Sequence, residues 1–78
     1  MAYDYAGEKQ RTCEAILRYV EANPLAADTA DGIRRHWLPA RGHERAADHI
    51  AAVLDDLVAL RLLRAELLPD GKTLYRSR

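Results

Sequence analysis

The clearest pattern in the chain lies between residues 44 and 60. With Ile50 as centre and ~100° of rotation per residue, Ala46, Val53, Leu54, Leu57 and Leu60 fall within about 80° of it. The other side holds Arg45, Asp48, His49, Ala52, Asp55, Asp56 and Ala59. This spacing predicts a helix from about Glu44 to Leu60, with one buried face and one solvated face. Upstream, Cys13, Ile16, Leu17 and Val20 follow the i, i+3, i+4, i+7 rule and predict a helix over about Glu8–Glu21. Its outer face carries Glu14, Arg18 and Glu21, with Glu14 and Arg18 spaced for an i, i+4 ion pair. Asn23-Pro24 ends it, because a residue before proline avoids the helical region.

Between these two, Ile33 and Trp37 give a short second helix a small apolar face, and Asp28 or Thr29 is placed to cap it. Gly32 costs roughly 1 kcal/mol inside a helix, so its presence predicts close approach to another helix. Pro39 and Gly42 bracket a turn over Pro39–His43.

Past Leu60 the period changes to two. Leu63, Ala65 and Leu67 alternate with Arg64, Glu66 and Leu68, which reads as a strand. Pro69-Asp70-Gly71 then fits a three-residue hairpin loop with a left-handed glycine. That loop sets Leu67 against Thr73, Ala65 against Tyr75 and Arg64 against Arg76. The Leu63, Ala65, Leu67, Thr73 and Tyr75 side is expected to pack on the helices. Arg64, Glu66, Leu68, Lys72, Leu74 and Arg76 are expected outside. The fold class is therefore α+β, mainly α: a three-helix bundle with a C-terminal two-stranded β-hairpin. Residues 1–7 read as an N-terminal arm and 8–78 as one domain.

Composition narrows the classes. Seventy-eight residues with no Phe and one Trp make a small core of Ala, Leu, Ile and Val. The single cysteine, Cys13, leaves no internal disulfide and no cysteine-rich zinc site; on the apolar stripe it is expected to be a buried, inert thiol. No run approaches the ~18 apolar residues of a membrane span, and the start lacks the basic and apolar regions of a signal peptide. A cytoplasmic protein is expected.

Twelve basic residues balance twelve acidic ones. Residues 1–31 hold three basic against six acidic groups, and residues 32–78 hold nine against six. This tilt is compatible with nucleic acid without demanding it. His36, His43 and His49 lack i, i+3 or i, i+4 spacing, and there is no glycine-rich phosphate loop. No catalytic residue, metal ligand or cofactor is expected, and the chain does not read as an enzyme.

The order of elements resembles the winged helix-turn-helix superfamily over roughly residues 8–77. The resemblance rests on the Ile33–Trp37 helix, the Pro39–His43 turn, Ile50-x-x-x-Leu54-x-x-Leu57, Leu62-Leu63-Arg64 and the wing turn Pro69-Asp70-Gly71. Arg61 stands where many members carry a glycine at the end of the third helix. The resemblance implies DNA binding and transcription regulation, with the third helix in the major groove and the wing on the flanking backbone. A substantial minority of such domains bind proteins instead.

Two readings follow. As a duplex-DNA-binding regulator, working as a dimer, the chain would hold phosphates with Arg34, Arg35, Arg41, Arg45, Arg64, Lys72 and Arg76; Arg45 and His49 would reach bases. Arg64 opposite Arg76 costs stability unless an anion lies between them. As a protein-interaction module, it would dock through Asp48, Asp55 and Asp56, or through outward Leu68 and Leu74 on the wing. Tyr3, Tyr5 and Tyr19 add amphipathic surface near the N-terminus. The DNA-binding reading leads, on the order of elements and the basic rim; the protein-interaction reading is the alternative, favoured by zero net charge and by three carboxylates on the third helix, which repel phosphate.

Overall fold

Three helical segments and a three-stranded antiparallel sheet make up the computed structural model, which describes residues 5–38 and 47–78. Helix α1 spans Tyr5–Ala22 and strand β1 spans Ala27–Thr29. Helix α2, Ala30–Gly32, runs on as a π-helical turn over Ile33–Trp37. Helix α3 spans Ala47–Ala59, followed by β2, Leu63–Leu67, and β3, Thr73–Ser77. The layout is α+β and mainly helical, with the last two strands following the helices in a winged-helix-like order. The Pro39–His43 turn, Tyr3, Arg41, His43, Arg45 and Ala46 lie outside the described residues.

The predicted stripes build the core. Ile16 and Val20 of α1 meet Ile33, Trp37 and Leu38 from the second helical segment, and Ile50, Val53, Leu54 and Leu57 of α3. Leu63 closes the cluster from β2. Tyr19 stacks on Trp37 with ring centroids 4.9 Å apart and planes 14° apart, so this tyrosine is packing rather than surface. Asn23 ends α1, its backbone N–H donating to the Tyr19 carbonyl at 2.9 Å and its side chain to the same oxygen at 3.0 Å.

Several expectations are corrected. Helix α1 begins before Glu8, at Tyr5, and runs to Ala22. Glu14 accepts from Gln10 at 3.3 Å instead of pairing with Arg18. The second helix is a single capped α-turn widened into a π-helical turn, which buries Ile33, Trp37 and Leu38 together. Thr29 is its cap: the extended residue accepts from the Gly32 N–H at 3.3 Å, while Asp28 accepts from Thr29 N–H at 2.8 Å. The Asp28 carboxylate lies where a Cβ on residue 32 would stand, and the short α2 that carries Gly32 also approaches α3.

The hairpin keeps its expected register, Leu67 with Thr73, Ala65 with Tyr75 and Arg64 with Arg76. Its loop is a turn in which Gly71 N–H donates to the Leu68 carbonyl at 3.0 Å, with Gly71 at φ +89. Asp70 then accepts from Lys72 N–H at 2.9 Å. The sheet has three strands rather than two, in the order β1-β3-β2, with Asp28 opposite Tyr75. Leu74, opposite Thr29 on β1, is half-buried rather than free, and so is Leu68 in the turn. The helices reach only the base of the wing: Leu63 is buried, while Ala65 and Leu67 on the same face stand in solvent. Leu60, expected in the core, is exposed because α3 ends at Ala59.

That end is a complete left-handed cap. Arg61 has φ 61, its N–H donates to the Val58 carbonyl at 2.9 Å, and Leu62 N–H reaches back to the Leu57 carbonyl at 2.9 Å. This is the hydrogen-bond pair of a Schellman motif with arginine at the position that favours glycine. Arg61→Gly is therefore expected to raise stability by about 0.5–1 kcal/mol in urea denaturation, the relief of the left-handed side chain outweighing the added freedom of the unfolded chain.

Candidate functional site

Helix α3 was the natural place to look for a reading surface, and its packing decides what it presents. The stripe from Ile50 to Leu57 turns inward, so the outward side chains of residues 48–59 are Asp48, Ala51, Asp55, Asp56 and Ala59, with Ala52 and Val58 half-covered. None of them is a hydrogen-bond donor. Asp56 is held by the Lys9 ammonium from α1. Asp48 and Asp55 have no ion pair among the described residues. Burial first, and then the charge of Asp55, push the Tyr75 phenol above its usual range.

His49 is not on this outward face. It is buried, at 8% exposure, against α1, where Nε2 lies 3.0 Å from the Thr12 hydroxyl. Thr12 is itself fully buried and donates its one proton to the Glu8 carbonyl at 3.0 Å. The hydroxyl therefore accepts from His49, which assigns the proton to Nε2. His49 sits at the edge of the α3 stripe, and α1 covers that edge, so this ring is a buried polar link between two helices and no candidate for base contact.

The cations divide into two groups. Arg34 donates to Asp31 Oδ1 at 2.9 Å and Arg35 Nε approaches Asp31 Oδ2 at 3.1 Å, so the charges expected to hold phosphate share one carboxylate. The hydrogen bond from Arg34 holds the Asp31 carboxyl below the usual aspartate range, with Arg35 adding to it. Arg64, Lys72 and Arg76 on the wing have exposed side chains with no ion pair among the described residues, as do Arg61 and Arg78 beside them. Leu25, Leu60, Leu62 and Leu67 are the exposed leucines, at 94%, 67%, 42% and 75%. They replace Leu68 and Leu74 as the apolar surface.

Cys13 is half-buried on the α1 side of a groove that it shares with Lys9, Gln10, Asp56, Ala59 and Leu60. Burial raises its pKa, with Asp56 adding to the rise and Lys9 opposing it, so the thiol stays protonated at neutral pH and is a poor nucleophile. Among the described residues no group of three or more His, Cys, Asp or Glu is placed to hold a metal ion, and no helix is long and apolar enough to cross a membrane. Comparison with models of known families and with characterised proteins finds no match.

Two outcomes test this geometry. Thr12→Val is expected to destabilise the fold by about 1–3 kcal/mol in urea denaturation, because the His49 N–H loses its buried acceptor. Adding His49→Leu to that variant should restore part of the loss, since removing both polar partners costs less than removing one. In an NMR titration the Asp31 carboxyl should protonate below the range of a free aspartate, and Arg34→Ala should move its midpoint upward. The sign follows from the depressed folded-state pKa: what this pair adds to stability is present above the unfolded pKa and lost as pH falls through the folded one.

Proposed function

We propose that the chain is a protein-interaction module of winged-helix layout, with the outer face of α3 as a docking surface for a basic partner. The observation that carries this reading is the composition of that face among the described residues: carboxylates and alanines, with no donor to offer a base edge. A helix whose Asp48 and Asp55 have no ion pair among the described residues repels the phosphate backbone as it enters a groove, whereas it attracts lysines and arginines of a protein surface. Small side chains at 51, 52 and 59 let a partner approach the helix closely. Exposed Leu67 on the neighbouring wing and Leu60 at the end of the helix add apolar area beside the acidic face.

A specific observation favours a second reading. The wing and its base carry five cations without ion pairs among the described residues, Arg61, Arg64, Lys72, Arg76 and Arg78, against Glu66 and Asp70. As a DNA-binding regulator the chain would therefore grip phosphates with the wing while α3 stayed clear of the major groove.

Fluorescence anisotropy with random-sequence duplex DNA, beginning at ~20 mM salt, separates the two, because counterion release makes phosphate binding strongest there. The protein-interaction reading expects no micromolar binding. Micromolar binding that falls steeply with added salt, and is lost in a Lys72→Glu/Arg76→Glu variant, would overturn it in favour of the wing.

A further inference from the structure

The strand order β1-β3-β2 leaves β2 as a sheet edge, and its residues after Leu63 are exposed. An open edge is a template for another strand, and proteins normally blunt it with charge. Here the two charges on β2 are opposite in sign and symmetrically placed. Arg64 and Glu66 flank Ala65 at the centre of the five-residue strand Leu63-Arg64-Ala65-Glu66-Leu67. We propose that β2 pairs with β2 of a second copy of this chain, antiparallel and centred on Ala65, making a two-fold dimer with a continuous six-stranded sheet. This inference goes beyond the docking role of α3 and uses the sheet edge, sharing only Leu67 with that surface.

The register follows from the backbone. Leu68 N–H donates across the hairpin to the Lys72 carbonyl at 2.7 Å, so residue 68 turns its polar groups toward β3. By alternation Glu66 and Arg64 do the same, which leaves the N–H and C=O groups of Leu63, Ala65 and Leu67 directed to the open edge. Pairing two such edges about Ala65 uses those groups, with Leu63 opposite the partner's Leu67. Arg64 then falls opposite the partner's Glu66, and Glu66 opposite the partner's Arg64. These are non-hydrogen-bonded pairs, where facing side chains come closest.

Two unexplained features are answered by this arrangement. Arg64 faces Arg76 directly within the monomer, a like-charge pair with no carboxylate bound to either side chain among the described residues. The partner's Glu66 supplies the missing anion on the other flank of Arg64. Leu67 is three-quarters exposed although it shares a face with buried Leu63. In the dimer it lies beside the partner's Leu63 and extends the apolar row across the joint. A formal charge of zero leaves no net repulsion to oppose association.

Sedimentation velocity on the full chain at about neutral pH and low salt, over concentrations rising to several hundred micromolar, tests the proposal. A reversible monomer–dimer equilibrium is expected. Arg64→Glu and Glu66→Arg should each weaken it by about tenfold or more, since each sets two like charges opposite one another twice. The double variant R64E/E66R, and an equimolar mixture of the two single variants, should both restore dimer. Circular dichroism confirms that each variant is folded. In the wild type, hydrogen exchange at the Leu63, Ala65 and Leu67 amides should slow as concentration rises. A chain that stays monomeric throughout overturns the inference while leaving the α3 reading to the DNA titration. A dimer indifferent to both single substitutions, or one that the double variant fails to restore, overturns it equally.

Discussion

The rest of the molecule depends on the burial of one stripe of α3. Ile50, Val53, Leu54 and Leu57 are all 1% exposed or less, and they are the common contact of α1, the second helical segment and β2. In a chain without Phe, no other element carries enough apolar volume to organise a core. Truncating one such side chain in a packed interior typically costs ~2–5 kcal/mol, a large part of the stability of a domain this size. The same burial fixes the rotation of α3 about its axis. It turns Asp48 and Asp55 to solvent, brings Asp56 to Lys9, and closes His49 against Thr12. What the surface can recognise is thus set by what the interior needs.

Local chemistry was legible in the sequence, and coverage by distant elements was not. The hairpin register follows from Pro69-Asp70-Gly71 alone, because a three-residue loop with one left-handed position admits few pairings. The α1 and α3 stripes follow from period, whereas the left-handed residue after α3 was hidden because arginine, not glycine, stands at 61. Strand β1 was invisible because Ala27–Thr29 is three residues with no alternation; it is a strand only by pairing with β3. His49 was misplaced for a related reason. An angle on a helical wheel says how far a residue stands from the apolar centre, but not which neighbour covers that margin. Here α1 covers it at His49 and leaves it open at Leu60. The wing shows the same effect: alternation put Leu63 and Leu67 on one face, and only the reach of the helices separates a buried leucine from an exposed one.

Charge is segregated more sharply in space than along the chain. A formally neutral protein presents an acidic helix face, an Asp31–Arg34–Arg35 cluster in which two guanidinium groups share one carboxylate, and a wing rich in cations that have no ion pair among the described residues. Counting residues in the C-terminal part gives a mild basic excess that hides this separation. Burial by α1 removes His49 from the surface inventory, and Asp31 takes up two of the arginines. The charges left for recognition are consequently fewer than composition suggests, and better sorted by sign.

Gly32 ties two parts of the fold through an atom that is missing. Asp28 belongs to β1, yet its carboxylate fills the space where residue 32 would carry a methyl group, and from there it accepts the Thr29 N–H and faces His36. A side chain at 32 would push that carboxylate aside, and with it the hydrogen bond from the Thr29 N–H at the junction of strand and helix. The third strand of the sheet is therefore written partly in the helix, as the absence of a single carbon.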